Sequence, residues 1–301
     1  SEAAVTATLE SDPQPYDFLL YSVTATDDIR MESDAAVSCE RPVQVVDDCE
    51  TSSAGMLTTP RLECGDAVEI SLRGDLASAN VVLPSRDVLN DYITVGTEIS
   101  SASIPVSNGY LTLEDLVLSP TVNPFGAVDG AGIYWLDAGG GAVRIAHCRF
   151  EATLAIRNAA IIEVSGGINW NYPLRPHAIL VSDSDIYFVD VAERLDENDR
   201  NVNFNPTTSP HRLNLANSTT TDVYPTELRG VIFTSGYVRV DAIANDAILR
   251  LTGAIVCRDL GAWGHLSFTQ LDELINDPVW GLSDPTPMRF VRGSQRRIPS
   301  P

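Results

Sequence analysis

The feature that most constrains this chain is a ladder of short β-favouring runs between residues 133 and 191. They are Ile133-Tyr134-Trp135-Leu136, Val143-Arg144-Ile145, Leu154-Ala155-Ile156, Ile161-Ile162-Glu163-Val164, Ile168-Asn169-Trp170, Ile179-Leu180-Val181 and Ile186-Tyr187-Phe188-Val189. Gly, Asn, Asp, Ser and Pro separate them, and their first residues lie 10, 11, 7, 7, 11 and 7 positions apart. None is long enough, or periodic at 3.6, to make an amphipathic helix. Short strands at such spacing belong to a sandwich, a barrel or a stacked solenoid. Several runs are apolar at consecutive positions, as in strands with parallel neighbours and both faces covered. The expected class is therefore all-β: a parallel β-solenoid (β-helix) with a short helical C-terminal cap.

Around this centre the chain divides into three parts. Residues 1–16, with few large apolar side chains, read as an extended N-terminal segment. Residues 17–262 read as the solenoid, starting with a strand at Phe18-Leu19-Leu20-Tyr21. A Ser85–Tyr92 stretch reads as a short helix with Ser85 as N-cap. Residues 192–226, charged and then rich in Thr, Ser, Pro and Asn, read as an irregular loop and a lateral excursion. Residues 263–301 read as the cap and a Pro/Arg-rich tail: Ser267-Phe268-Thr269-Gln270 matches a capping box, and Phe268, Leu271, Leu274 and Ile275 follow at helical spacing.

Charge excludes several partners. The net charge is −21, which argues against a nucleic-acid groove or an anionic membrane surface. No run of 18 apolar residues occurs, so the chain shows no helical membrane span. Acids outnumber arginines 19 to 5 in the first 100 residues, whereas residues 285–301 carry four arginines and no acid. Read sharply, this is an acidic end and a basic end that meet head to tail, with Arg289, Arg292, Arg296 and Arg297 as self-association residues; read blandly, it is solubility and a loose tail. Lysine is absent, which removes a Walker phosphate loop, a Schiff-base lysine and a lysine isopeptide crosslink.

Candidates for chemistry are sparse. The five cysteines include no CxxC pair, and no zinc pattern forms, so no metal or cofactor is expected. A Cys39–Cys49 disulfide is sterically conceivable, while Cys148 and Cys257, within apolar runs, read as buried thiols. Glycoside cleavage needs two carboxylates across a substrate; Asp183 with Asp185 and Asp47 with Asp48 are available, although Ser182-Asp183-Ser184-Asp185 also reads as a polar turn. Calcium would need a more regular loop of acids and glycines. His147 alternates with apolar neighbours and reads as a packing residue, and Gly139-Gly140-Gly141 as a corner. Trp135, Trp170, Trp263 and Trp280, with Tyr134, Tyr172 and Tyr187, fill a core or form an outward stripe that stacks on sugars.

Several phrases together resemble the secreted β-rich portion of bacterial pilus-assembly and prepilin-like proteins. They include Leu19-Leu20-Tyr21 followed by Asp28-Ile29-Arg30-Met31, Gly132-Ile133-Tyr134-Trp135-Leu136, Asn201-Val202-Asn203-Phe204-Asn205-Pro206, Asp222-Val223-Tyr224-Pro225, Leu228-Arg229-Gly230-Val231-Ile232-Phe233 and Asp277-Pro278-Val279-Trp280-Gly281-Leu282. The resemblance implies an exported structural component with no catalytic residues to carry over. The functional expectation is a non-enzymatic building block of a cell surface or extracellular filament, self-associating as a homo-oligomer. The alternative is a β-helix that binds or cleaves an acidic polysaccharide, with a groove where Asp183, Asp185 and an Arg converge.

Overall fold

The computed structural model describes residues 17–32, 34–51, 54–79, 87–173, 178–211, 216–241 and 248–276, with short paired segments in the two tails. The chain is mostly β, and its large sheet is built almost wholly from parallel pairs. Those pairs form three ladders, here called A, B and C, which each layer of chain visits in turn.

Ladder A holds Tyr110–Glu114, the first halves of Ala142–Glu151 and Ile162–Asn171, then Ile186–Val191, Tyr237–Val240, Asp259–Ala262, Ile29–Met31, Cys49–Thr51 and Val68–Glu69. Its register aligns Leu111, Val143, Ile162, Ile186, Val238, Leu260, Ile29, Cys49 and Val68 in one inward column. Residues two apart share a face, so the intervening column, which includes Arg144, Glu163, Tyr187, Arg239 and Arg30, points outward. Ladder B runs through Ile133–Asp137, Thr153–Arg157, Ala178–Ser182 and on to Val23–Ala25 and Val43–Val45. Ladder C carries the second halves of Ala142–Glu151 and Ile162–Asn171, the first halves of Glu227–Thr234 and Ile248–Cys257, then His265–Thr269, Ala36–Cys39 and the start of Met56–Cys64.

The order of layers in space is not the order in sequence. Val23–Ala25 lies on Ile248–Cys257, Ile29–Met31 on Asp259–Ala262, and Ala36–Cys39 on His265–Thr269. The N-terminal strands thus continue the stack beyond its C-terminal layer. Long strands bend through a corner and pair in two ladders, so Ile248–Cys257, Val23–Ala25, Val43–Val45, Met56–Cys64, Ala36–Cys39 and His265–Thr269 close a ring of six parallel strands.

Each corner has its own chemistry. Between C and B the backbone of stacked layers meets at glycines: a Cβ on Gly253 would stand 1.9 Å from the Gly230 carbonyl oxygen. Between A and C the chain bends at single left-handed residues, Asp115 (φ 57°), His147 (φ 50°), Gly166 (φ 66°) and Asp190 (φ 48°). Between B and A the bend is held by aspartates, described below.

The outer sides of the ladders differ. The helix α1 (Val88–Val95) packs on ladder B, where Leu19, Tyr92, Leu271 and Leu274 cover Ala155, Val181, Val231 and Val256. Strands of ladder B are therefore apolar on both faces, which is why Ile179-Leu180-Val181 and Ala254-Ile255-Val256 do not alternate. The excursion after Val191 covers part of ladder C with its own small core of Leu195, Phe204 and Tyr224. Arg149, fully buried beneath it, donates from Nη2 to the Ser209 carbonyl and hydroxyl, each at 2.6 Å. No described residue covers the outer face of ladder A.

Several sequence expectations need correction. His265–Thr269 is a strand, not the start of a helical cap: Leu266 and Phe268 alternate inward, and the strand lies inside the stack between two neighbours. Among the described residues, helix there spans Glu273–Asn276. Phe18-Leu19-Leu20-Tyr21 is not a strand, because Asp17–Leu20 forms one turn of 3-10 helix. The first α-helix starts after Asp87, whose carboxylate accepts the Asn90 N–H at 3.0 Å; Ser85 lies outside the described residues. Residues 192–226 are not a plain loop, since Arg194–Asp196 and Val223–Pro225 pair antiparallel around the short helix Glu197–Arg200. The extended N-terminus and the Arg-rich tail pair with each other: Val5–Thr6 with Arg296–Arg297, Leu9–Glu10 with Arg289–Phe290, and Gln14–Pro15 with Ser283–Asp284.

The corner glycines give a quantitative test. Gly139 (φ 58°) has no atom within 4 Å of a built Cβ, so Gly139→Ala costs only the left-handed backbone, about 1–2 kcal/mol. Gly253→Ala adds overpacking of roughly 1–3 kcal/mol, and urea unfolding should rank it clearly below Gly139→Ala.

Candidate functional site

The B-to-A corner is built from the same residue type layer after layer. Asp185 Oδ1 accepts the Tyr237 N–H (2.8 Å), Asp259 Oδ1 the Asp28 N–H (3.3 Å), Asp28 Oδ1 the Asp48 N–H (3.2 Å) and Asp48 Oδ1 the Ala67 N–H (2.8 Å). Each carboxylate satisfies a backbone donor of the next layer just where the chain leaves one ladder for another. The sequence signal is an Asp directly before an inward residue of ladder A, as in Asp28-Ile29, Asp48-Cys49, Asp185-Ile186 and Asp259-Leu260.

Beside this column Asp27, Asp28, Arg30, Asp185, Tyr237, Arg258 and Asp259 line a depression of roughly 480 Å³. Its arginines are matched: Arg30 lies 2.7 Å from Asp28 and 3.8 Å from Glu50, and Arg258 lies 2.7 Å from Asp259. The hydrogen bond that Arg30 donates to Asp28 holds its guanidinium above its ordinary pKa, and Asp259 does the same for Arg258. Next to the depression, Tyr187, Tyr237 and Trp263 form an outward cluster with edge-to-face pairs at 6.1 and 6.5 Å. The Arg239 guanidinium sits 4.4 Å from the Trp263 ring centre and 5.5 Å from that of Tyr187, and Asp241 fixes it at 2.6 Å. The rings reach across Gly261, where a Cβ would stand 1.8 Å from the Tyr237 hydroxyl and 2.3 Å from Trp263. Burial pushes the Tyr237 phenol up to about 12, so it remains a hydrogen-bond donor.

The carboxylates behave as an interacting set. Asp27 is pushed above the usual carboxylate range, first by a hydrogen bond with Asp47 and then by the charge of Asp259. Ligand oxygens of Asp27, Asp28 and Asp47 all lie within 4.8 Å of one another. Within this set Asp28 is engaged by the Arg30 guanidinium and by the Asp48 N–H.

A second depression, roughly 460 Å³, lies at the A-to-C corner between His147, Asp190, Arg194, Asp196, Asp199 and Arg200. Burial, then the Arg200 charge, lower the His147 pKa, so its ring is neutral at pH 7. Its Nδ1 accepts the Gly167 N–H at 3.3 Å, which assigns the ring proton to Nε2 and leaves no basic nitrogen facing outward. Arg200 is pinned by Asp115 (2.6 Å) and Glu114 (2.9 Å). His147 is thus a corner residue as well as a packing one.

The remaining sequence candidates fall as follows. Asp183 and Asp185 part company: Asp183 accepts the Asn158 N–H at 3.0 Å, and only Asp185 reaches the depression with Arg30 and Arg258. Cys39 and Cys49 are not bridged; both thiols are free and buried, on ladders C and A. Burial pushes Cys39 up to about 12 and raises Cys49 too, with Cys64 as its thiol neighbour. Trp170 and Tyr134 fill the core, Trp135 lies under the Arg157 guanidinium, and Trp280 and Arg292 lie outside the described residues. Tyr237 and Arg239 escaped the sequence reading because outward position depends on register.

Compared with known proteins, the chain matches no family model, no curated protein and no solved structure.

The raised Asp27 fixes the sign of a pH effect. A carboxyl whose folded pKa exceeds its unfolded value adds stability below the unfolded pKa of about 4, and that stability is lost as pH rises through the folded value. Asp27→Asn should therefore raise the melting temperature at pH 7, and the gain should vanish below about pH 4 in thermal scans.

Proposed function

We propose that the three ladders are the faces of a β-solenoid and that the chain is an exported, non-enzymatic scaffold binding a glycan on face A. One observation carries this reading: Asp185, Tyr237, Arg30 and Arg258 line a single depression beside the Tyr187, Arg239 and Trp263 cluster. Aromatic rings offer apolar area to the C–H faces of a sugar while keeping a polar edge. Carboxylate–guanidinium pairs held in fixed planes supply donors and acceptors side by side, the pattern needed for neighbouring hydroxyls.

Two features refine the ligand. Each arginine of the face has its own carboxylate, so no surplus positive charge awaits an acidic polymer, and a neutral polysaccharide fits better. The aspartates are committed to backbone N–H groups of successive layers and to arginines, which favours binding over the two-carboxylate chemistry of glycoside cleavage.

The test is a glycan array followed by calorimetric titration of wild type and variant with the best oligosaccharide. Trp263→Ala should weaken binding at least tenfold, about 1.4 kcal/mol, with an unchanged melting temperature. Failure of the wild type to bind any neutral glycan overturns the reading. Self-association of such a scaffold is favoured by a different observation, an end of the stack that no described residue covers.

A further inference from the structure

The two ends of the stack are unlike. At one, Tyr110–Glu114 is paired on its outer side by Val106–Ser107, and Ile99 and Ile104 are buried behind it. At the other, Ser71–Ser78 pairs with Met56–Cys64 and, among the described residues, with nothing on its far edge. Val68, Ile70 and Leu72 close the core there only in part, and Leu76 is 59% exposed. An apolar core end bordered by free N–H and C=O groups is a template for further pairing.

We propose that this end is the interface of a two-fold dimer, with Ser71–Ser78 of two copies pairing antiparallel about Gly74. The occupant follows from the strand's own sequence. Leu72-Arg73-Gly74-Asp75-Leu76 is self-complementary when reversed: a two-fold axis at Gly74 sets Leu72 against the other copy's Leu76, and Arg73 against its Asp75. Directly opposed opposite charges and apolar pairs are the stabilising cross-strand combinations, and a two-fold contact presents the same patch twice. Arg73 and Asp75 are exposed and enter no ion pair among the described residues. Gly74 suits the axis because the strand bends there between ladders C and B, and a Cβ would stand 1.9 Å from the Thr59 carbonyl oxygen. Since the opposite end is closed by a hairpin, the contact makes a dimer and stops, with no head-to-tail growth.

Sedimentation velocity of the full chain over a hundredfold concentration range tests this. A concentration-dependent dimer is expected. Arg73→Asp and Asp75→Arg should each weaken it at least tenfold, because each sets like charges against each other twice. An equimolar mixture of the two variants should restore the dimer, since both salt-bridging pairs re-form between unlike chains. Thermal midpoints of the monomeric variants report that they remain folded. A wild type that stays monomeric overturns the proposal. A dimer that both variants leave intact, or a mixture that stays monomeric, overturns it as well.

Discussion

The structure depends on parallel stacking of one layer's backbone on the next, with an aliphatic column at its centre. The decisive instance is the seam where Val23, Ile29 and Val37 meet Ile255, Leu260 and Leu266. Without it the N-terminal layers and the C-terminal layers would each expose a core end. Partners here are more than two hundred residues apart in sequence, so the loop-closure entropy is met before the contacts reward it. Layers from residue 97 to residue 269 stack in chain order and need no such closure. The seam is therefore the closure that costs the most chain entropy.

Stacking also explains why each corner repeats its chemistry. A layer can lie on its neighbour only if both turn at the same place, so a bend solved once must be solved again in the next layer. Glycines allow carbonyls of adjacent layers to approach at the C-to-B corner. Left-handed residues bend A into C, and there His147 and Asp190 are tolerated because the turn itself demands that backbone. Aspartates complete the B-to-A corner by accepting N–H groups that the bend leaves without ladder partners. The acidic surplus of this protein is, in part, a structural column.

What covers each ladder then decides where function can sit. Ladder B is sealed by the helix Val88–Val95 and the segment around Leu271, and part of ladder C lies beneath the excursion that Arg149 anchors. Face A keeps its outward row, and among the described residues its wide aromatic cluster lies beside the aspartate corner. The same logic sets the ends apart: one is closed by its own hairpin, the other ends in a strand whose charges complement their own reversal.

The β class, the parallel pairing and most strands from Ile133 to Val189 were legible in the sequence, because inward columns of Ile, Val and Leu and the polar corners between them are local patterns. The sequence also placed the corner at Gly139-Gly140-Gly141 and a break after Val191. It misread Ser267-Phe268-Thr269-Gln270 because a capping box and an inward-alternating strand can share the same letters, and only a neighbouring strand on each side chooses between them. The pairing of Val23 with Ile255, the separation of Asp183 from Asp185, and the meeting of Arg30, Arg258 and Asp185 were decided by tertiary structure alone. Each depends on which layers become neighbours, and that is settled by long-range closure of the core, a free energy no local window of sequence contains.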